Sequence, residues 1–142
     1  MFLIFFRLVS MNKFKTNLVL LLGRLLIATI FIMSGLHKIT AFAGTSEQIA
    51  EAGVPLASYV TYVVILLELI GGVSVAVGYK SKYGAVLLIL FLVPVTLLIH
   101  DFWTYSGDQM MEEMINFMKN LAILGGLLVL TITDPGSFSV DG

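Results

Sequence analysis

Four long apolar runs, separated by short polar punctuation, dominate the chain. The first, Thr16 to Lys38, carries Arg24 as its only charge before His37-Lys38. The second, Tyr59 to Tyr79, holds a single acid, Glu68, near its middle. The third, Tyr83 to Ile99, has no charge and contains Pro94. The fourth, roughly Met114 to Thr133, opens with Asn116, Lys119 and Asn120. A helix needs about 20 predominantly apolar residues to cross a ~30 Å hydrocarbon core, and each run is of that order. The pattern predicts an all-α fold, a four-helix transmembrane bundle of antiparallel hairpins. Lys80-Ser81-Lys82 supplies the tight turn between the second and third runs.

The polar segments predict the rest of the layout. Phe42 to Ser58 reads as a loop with a short helix over residues 46–52, capped by Thr45 or Ser46 and stopped at Gly53, with Pro55 beyond. Pro94 predicts a kink whose freed carbonyl is satisfied by neighbours. Trp103 and Tyr105 fit an aromatic belt at the interface. Asp108 to Glu113 reads as an acidic loop with no assigned role, and Asp134-Pro135-Gly136 ends the last run before a short polar tail. At the amino end, Met1 to Ser10 is apolar with one Arg7 and too short to span. Two readings stand equally: Met11 is the true start, or the stretch lies on the membrane surface. The chain therefore divides into an extension, residues 1–15, and a membrane domain, residues 16–142. Ala41-Phe42-Ala43 has the look of a signal-peptidase site, but the apolar region before it exceeds the ~7–15 residues of a signal peptide, so an uncleaved anchor is expected.

Composition agrees with a membrane solvent. The 142 residues are 58% apolar and 12% charged, against roughly half apolar and about a quarter charged in soluble domains. Mean hydropathy is +1.01. A net charge of −1 leaves no basic nucleic-acid footprint, and the absence of cysteine removes disulfides, thiol redox chemistry and Cys-ligated metals. Arg7, Lys13, Lys15, Lys80 and Lys82 fall on one side of the spans and only Lys38 on the other. The positive-inside rule then places both termini and the Lys80–Lys82 turn in the cytoplasm.

The candidate chemistry lies in the spans. A charged residue at mid-membrane costs ~2.5–3.5 kcal/mol on insertion scales and normally faces a bundle interior with a partner. At ~1.5 Å rise per residue, Glu68 lies about 15 Å below the outer surface, Arg24 about 20 Å, and Lys119 a few residues inside. Pairing of Glu68 with Arg24 or Lys119 is the expectation. Arg24, His37, Lys38, Glu68, His100, Asp101, Asn116, Lys119 and Asn120 are candidates to line one cavity in the outer half. Two readings follow, a structural ion-pair core or a site for a polar head group such as a quinone ring. A haem or metal held by His37 and His100 is a minor reading, since no ligand spacing supports it, and no metal site is assigned. The glycine pairs at 71–72 and 125–126 read as packing devices, and the methionines at 110, 111, 114 and 118 as apolar filling.

These residues resemble the DoxX family of small bacterial membrane proteins. The resemblance rests on Gly23-Arg24-Leu25-Leu26, Ser34-Gly35-Leu36-His37-Lys38, Glu68-Leu69-Ile70-Gly71-Gly72 with Gly78, and His100-Asp101-Phe102-Trp103. Asn116-Phe117-Met118-Lys119-Asn120 through Gly125-Gly126 and the terminal Phe138-Ser139-Val140-Asp141 complete it. It implies a four-helix bundle in the bacterial cytoplasmic (inner) membrane and kinship with DoxD, the membrane subunit of thiosulfate:quinone oxidoreductase. The leading functional expectation is a subunit of a quinone-linked membrane oxidoreductase system, with Arg24, Glu68 and Lys119 around a quinone-sized pocket. No flavin, haem or iron–sulfur motif is present, so no intrinsic cofactor is expected. Quinone is the expected ligand, and electrons come from a soluble or membrane redox partner or directly from substrate. The alternatives are a small-solute transporter or permeability factor, which four short helices favour only as a homo-oligomer, and a scaffold or assembly factor without catalysis.

Overall fold

The computed structural model describes residues 12–142; both readings of Met1 to Ser10 lie outside the described residues. Helix α1 spans Lys13–Thr40, and Asn12 caps it by accepting the Lys15 amide at 2.9 Å. Helix α2 spans Phe42–Glu51 and starts directly after Ala41, whose N–H still bonds the His37 carbonyl. The short helix thus begins four residues before the expected position. Thr45 does not cap it, because its hydroxyl bonds back to the Ala41 carbonyl, and the Ser46 hydroxyl pairs with Ser58. Phe42 stacks on Tyr62 with ring centroids 4.5 Å apart, which fastens the start of α2 to the next helix.

Helix α3 spans Ala57–Val77 and stops at Gly78, whose φ of +69° gives the left-handed exit that glycine adopts without strain. Helix α4 spans Ser81–Leu98 with Pro94 inside it. A 3₁₀ turn, Phe102–Thr104, leads to α5, Gly107–Ile132. The acidic stretch Asp108–Glu113 is therefore helical rather than a loop. Asp108 sits in the first turn, where a carboxylate complements the positive helix end, and Glu113 is tied to His100.

Four of these segments are long and apolar enough to cross a membrane, and large side chains such as Leu26 and Ile132 stay exposed on their outer faces. In a bilayer those faces meet lipid; the chain is an integral membrane protein. Neighbours follow the order α1, α3, α4, α5, while α1 meets α5 only sparsely. The glycines set the close approaches. A Cβ on Gly71 would meet Leu88, and one on Gly84 would lie 3.1 Å from the Gly71 carbonyl, so α3 and α4 are tight near their turn. Gly72 lies against Ile32, Gly35 against Leu69, and Gly126 against Ile27. The buried cluster Ala28, Phe31, Val75, Leu88, Leu92 and Leu127 fills the centre.

The carboxyl-terminal tail is not a loose end. It folds back over the α3–α4 turn, with Val140 N–H on the Val77 carbonyl and Asp141 N–H on that of Gly78. The Asp141 carboxylate accepts the Lys80 amide at 2.6 Å. Phe138 packs edge-on against Phe14, and Ser137 exchanges hydrogen bonds with the Asn17 side chain.

Candidate functional site: an intramembrane polar chamber

Facing pairs define how α1 lies along α3. Phe42 meets Tyr62, Lys38 meets Glu68, Gly35 meets Leu69, and Arg24 reaches the carbonyls of Val75 and Ala76. The end of α1 is thus sunk along α3 rather than level with its start. This register decides which cation finds the acid. Lys38 Nζ lies 3.0 and 3.1 Å from the two Glu68 carboxylate oxygens. It also donates to Ser34 Oγ, one turn back on α1, and sits 5.9 Å from the centre of the Phe91 ring. Glu68 is 1% exposed.

The expected pairing of Glu68 with Arg24 or Lys119 is therefore replaced by pairing with Lys38. Arg24 contacts α3 seven to eight residues further along than Glu68, about 11 Å at the helical rise. It is fully buried, has no carboxylate partner among the described residues, and donates to the carbonyls of Val75, Ala76 and Phe138. Those carbonyls include two that the last turn of α3 leaves unpaired. With Gly78 and Tyr79 N–H on Ser74 and Val140 N–H on Val77, every carbonyl of that turn has a donor. The guanidinium also complements the negative end of the α3 dipole. Arg24 is a helix-end clamp held by the tail, and Gly78 has no side chain because the Arg24 guanidinium occupies the space a Cβ would need.

Around Lys38 and Glu68 the bundle forms a half-open chamber of about 160 Å³. Of the nine residues singled out by sequence, Lys38, Glu68, His100, Lys119 and Asn120 line it. Asn116 stands one hydrogen bond behind, accepting from Lys119 Nζ at 2.9 Å. Arg24, His37 and Asp101 do not line it. His37 is exposed on the last turn of α1. Asp101 opens the 3₁₀ turn, its carbonyl accepting from the Thr104 amide and hydroxyl.

Four contributors were not singled out from sequence. Ser34 lies four residues before Lys38, on the same face of α1. Phe91 and Phe31 form an edge-to-face pair on the apolar side. Glu113 holds His100 Nδ1 at 2.7 Å. It shares a helix face with Asn116 and Asn120, a signal that is visible once residues 108–113 are read as helix.

Chemically, the chamber has a buried acid–base pair inside, and His100 in its lining belongs to a second, partly buried pair with Glu113. One Glu68 oxygen, Oε2, lies 3.0 Å from Lys38 Nζ but has no well-directed hydrogen-bond donor among the described residues. Among the described residues no group of three or more His, Asp or Glu side chains converges as a metal site would require.

A small four-helix membrane bundle, with a lysine–carboxylate pair inside and the carboxyl tail locked onto a buried arginine, is the class of protein these features define. The DoxX family model matches residues 19–101, more than half the chain and the part that holds Arg24, Lys38, Glu68 and His100. The chain belongs to the DoxX family. It is 33% identical to Inner membrane protein YphA of Escherichia coli over 122 residues, which is 86% of this chain and 87% of that protein. It is 36% identical to Inner membrane protein YqjF of Escherichia coli over 121 residues, 85% of this chain and 88% of that protein. A shorter similarity, 35% over 77 residues, links it to ER-derived vesicles protein ERV29 of Saccharomyces cerevisiae, covering 54% of this chain and 25% of that protein. No solved structure matches the chain.

Proposed function

We propose that the chamber binds the ring of a membrane quinone and that the chain serves as a subunit of a quinone-linked oxidoreductase system. The observation that carries this reading is the chamber of about 160 Å³ beside the buried Glu68 carboxylate, whose Oε2 lies 3.0 Å from Lys38 Nζ yet lacks a well-directed hydrogen-bond donor among the described residues. A buried acceptor without a donor is costly, and a hydroxyl of a quinol would supply one. On the other side, Lys119 and Asn120 offer donors to a ring carbonyl, and Phe91 and Phe31 offer an aromatic wall. Conversion of a quinone to a quinol takes up two electrons and two protons. The electrons come from a redox partner, and Lys38–Glu68 with His100–Glu113 are the proton-bearing groups beside the ring.

The names of the two Escherichia coli relatives favour the bacterial cytoplasmic membrane, and the lysine distribution favours cytoplasmic termini. A transport role has less support. Ala28, Val75, Ala85, Leu88 and Leu127, each at 0–1% exposure, fill the bundle between the chamber and the Arg24 end.

Trp103 makes the test direct. It is the sole tryptophan, packs edge-on against Phe102 and Phe117, and lies three residues beyond His100 of the chamber lining. Titration of the purified protein with a tail-less benzoquinone should quench its fluorescence saturably. Glu68→Leu should weaken the apparent affinity by roughly tenfold or more, the scale of one charged hydrogen bond. Linear, unsaturable quenching that is identical in both proteins would overturn the proposal.

A further inference from the structure

A second cavity lies on the outer side of the α3–α4 hairpin, about 220 Å³ in volume and almost wholly apolar. Its cause is the shape of the hairpin. Gly71 and Gly84 press α3 and α4 together near their turn. Towards the other end they part, with Val63 and Leu67 on one wall and Leu90 and Pro94 on the other. Pro94 cannot continue the α4 hydrogen-bond ladder. Ile49 of helix α2 and Val54 just beyond its end roof the opening, while Glu47 and Glu51 are exposed. The groove is thereby shut off from water on the α2 side.

Two residues line both the groove and the polar chamber, Phe91 and Val95, one turn apart on α4. Phe91 presents its ring to the Lys38 ammonium on one side and borders the apolar groove on the other. The two cavities are thus adjoining compartments separated by a two-residue sill.

We infer that the groove holds the apolar chain of the same amphipathic molecule whose polar ring occupies the chamber, the chain crossing the Phe91–Val95 sill. This rests on the quinone reading and gives the ligand its class: a ring carrying an aliphatic or isoprenoid tail. The competing exit for a tail is the sparse α1–α5 seam. There the chamber lip carries Lys119, exposed and bonded to Asn116, and a cation beside an apolar chain is the poorer match. The groove is almost wholly apolar.

The test uses the full-length protein in nanodiscs of phosphatidylethanolamine and phosphatidylglycerol. The probe is a benzoquinone bearing a short alkyl tail with a diazirine at its third carbon. After irradiation, adducts are mapped by mass spectrometry with and without excess tail-less benzoquinone. The expected result is labelling within residues 60–67 or 90–99 that falls at least fivefold under competition. Val63→Phe, which fills the groove without touching the chamber, should remove that labelling while leaving tail-less benzoquinone binding unchanged. Leu90→Phe gives the same readout from the opposite wall should the first variant fold poorly. Competed labelling at Ile30 or Ile123, on the seam, would overturn the groove assignment and leave the ring reading standing. Groove labelling that the tail-less compound does not compete would mean bulk-lipid occupancy and would also overturn it. Absence of any competed labelling, together with unsaturable Trp103 quenching, would remove the ring reading itself.

Discussion

Replacing Lys38 with methionine strands a carboxylate for which no second cation lies within ion-pair distance among the described residues. Methionine keeps most of the side-chain volume, so the loss is of charge and donors rather than packing. Glu68 is 1% exposed, and its oxygens lie 3.0 and 3.1 Å from Lys38 Nζ. At that separation and an effective dielectric near 20, the gross attraction is about 5 kcal/mol. The Lys38 side chain retains 20% of its accessibility, so part of its charge stays solvated and the net effect is smaller. Breaking such a pair by removing one partner is expected to cost ~2–4 kcal/mol, most of it the penalty of an uncompensated buried ion. Lys38→Met with Glu68→Leu removes both charges and should cost ~1.5 kcal/mol or less, a coupling of ~2 kcal/mol. Membrane hydrogen bonds average only ~0.6 kcal/mol in such cycles, so this value marks an ion pair. Equilibrium unfolding in mixed micelles, followed by Trp103 fluorescence, supplies the four stabilities. Strict additivity of the two single changes would refute the pairing. The cycle of Lys38→Met with Arg24→Met is the control; their sites are separated by about 11 Å along α3 and should add to within ~0.5 kcal/mol.

Other expectations follow from the same structure. Gly78→Ala should destabilise by ~2 kcal/mol or more, because φ is +69° and the Arg24 guanidinium fills the Cβ position; micellar unfolding checks it, and a neutral result would contradict the clamp. Deleting residues 137–142 should open the Arg24 end to proteolysis near the Lys80–Lys82 turn while leaving tail-less quinone quenching of Trp103 intact; equal protection before and after deletion would show that the tail locks nothing. Reporter fusions at Gly107 and Gly142 should fall on opposite sides of the membrane, since α5 lies between them; same-side signals would break the four-span topology. Gly84→Val should cost ~1–3 kcal/mol, the scale of overpacking, through contact with Ser74 and the Gly71 carbonyl; full stability would show that α3 and α4 are free to separate.

Hydrophobic runs and their punctuation made the four spans legible, because a bilayer demands about 20 apolar residues per crossing and tolerates little else. The helix ends were less legible. Ala41 separates α1 from α2 with no Gly or Pro, and Asp108–Glu113 looks like loop until the His100–Glu113 contact is known. Depth arithmetic failed at Glu68 for a specific reason. It took α1 and α3 to end at one level, whereas Phe42 on Tyr62 sets α1 deeper along α3 and brings Lys38 to the acid. Register between antiparallel helices is decided by such side-chain contacts, which spacing along one helix does not contain. Arg24 looked like a site residue because a buried cation suggests a buried anion. Its partners are backbone carbonyls, which every residue carries and no sequence motif announces.

A bound ligand in the Lys38–Glu68 chamber separates a binding site from a packed ion pair. A high-resolution structure of the protein in lipid nanodiscs with a tail-less benzoquinone tests for one most directly. Ring-shaped density is expected beside Phe91, within hydrogen-bond reach of Glu68 Oε2 and of Lys119 or Asn120. A chamber holding only water at saturating quinone, with the ligand elsewhere or absent, would contradict it.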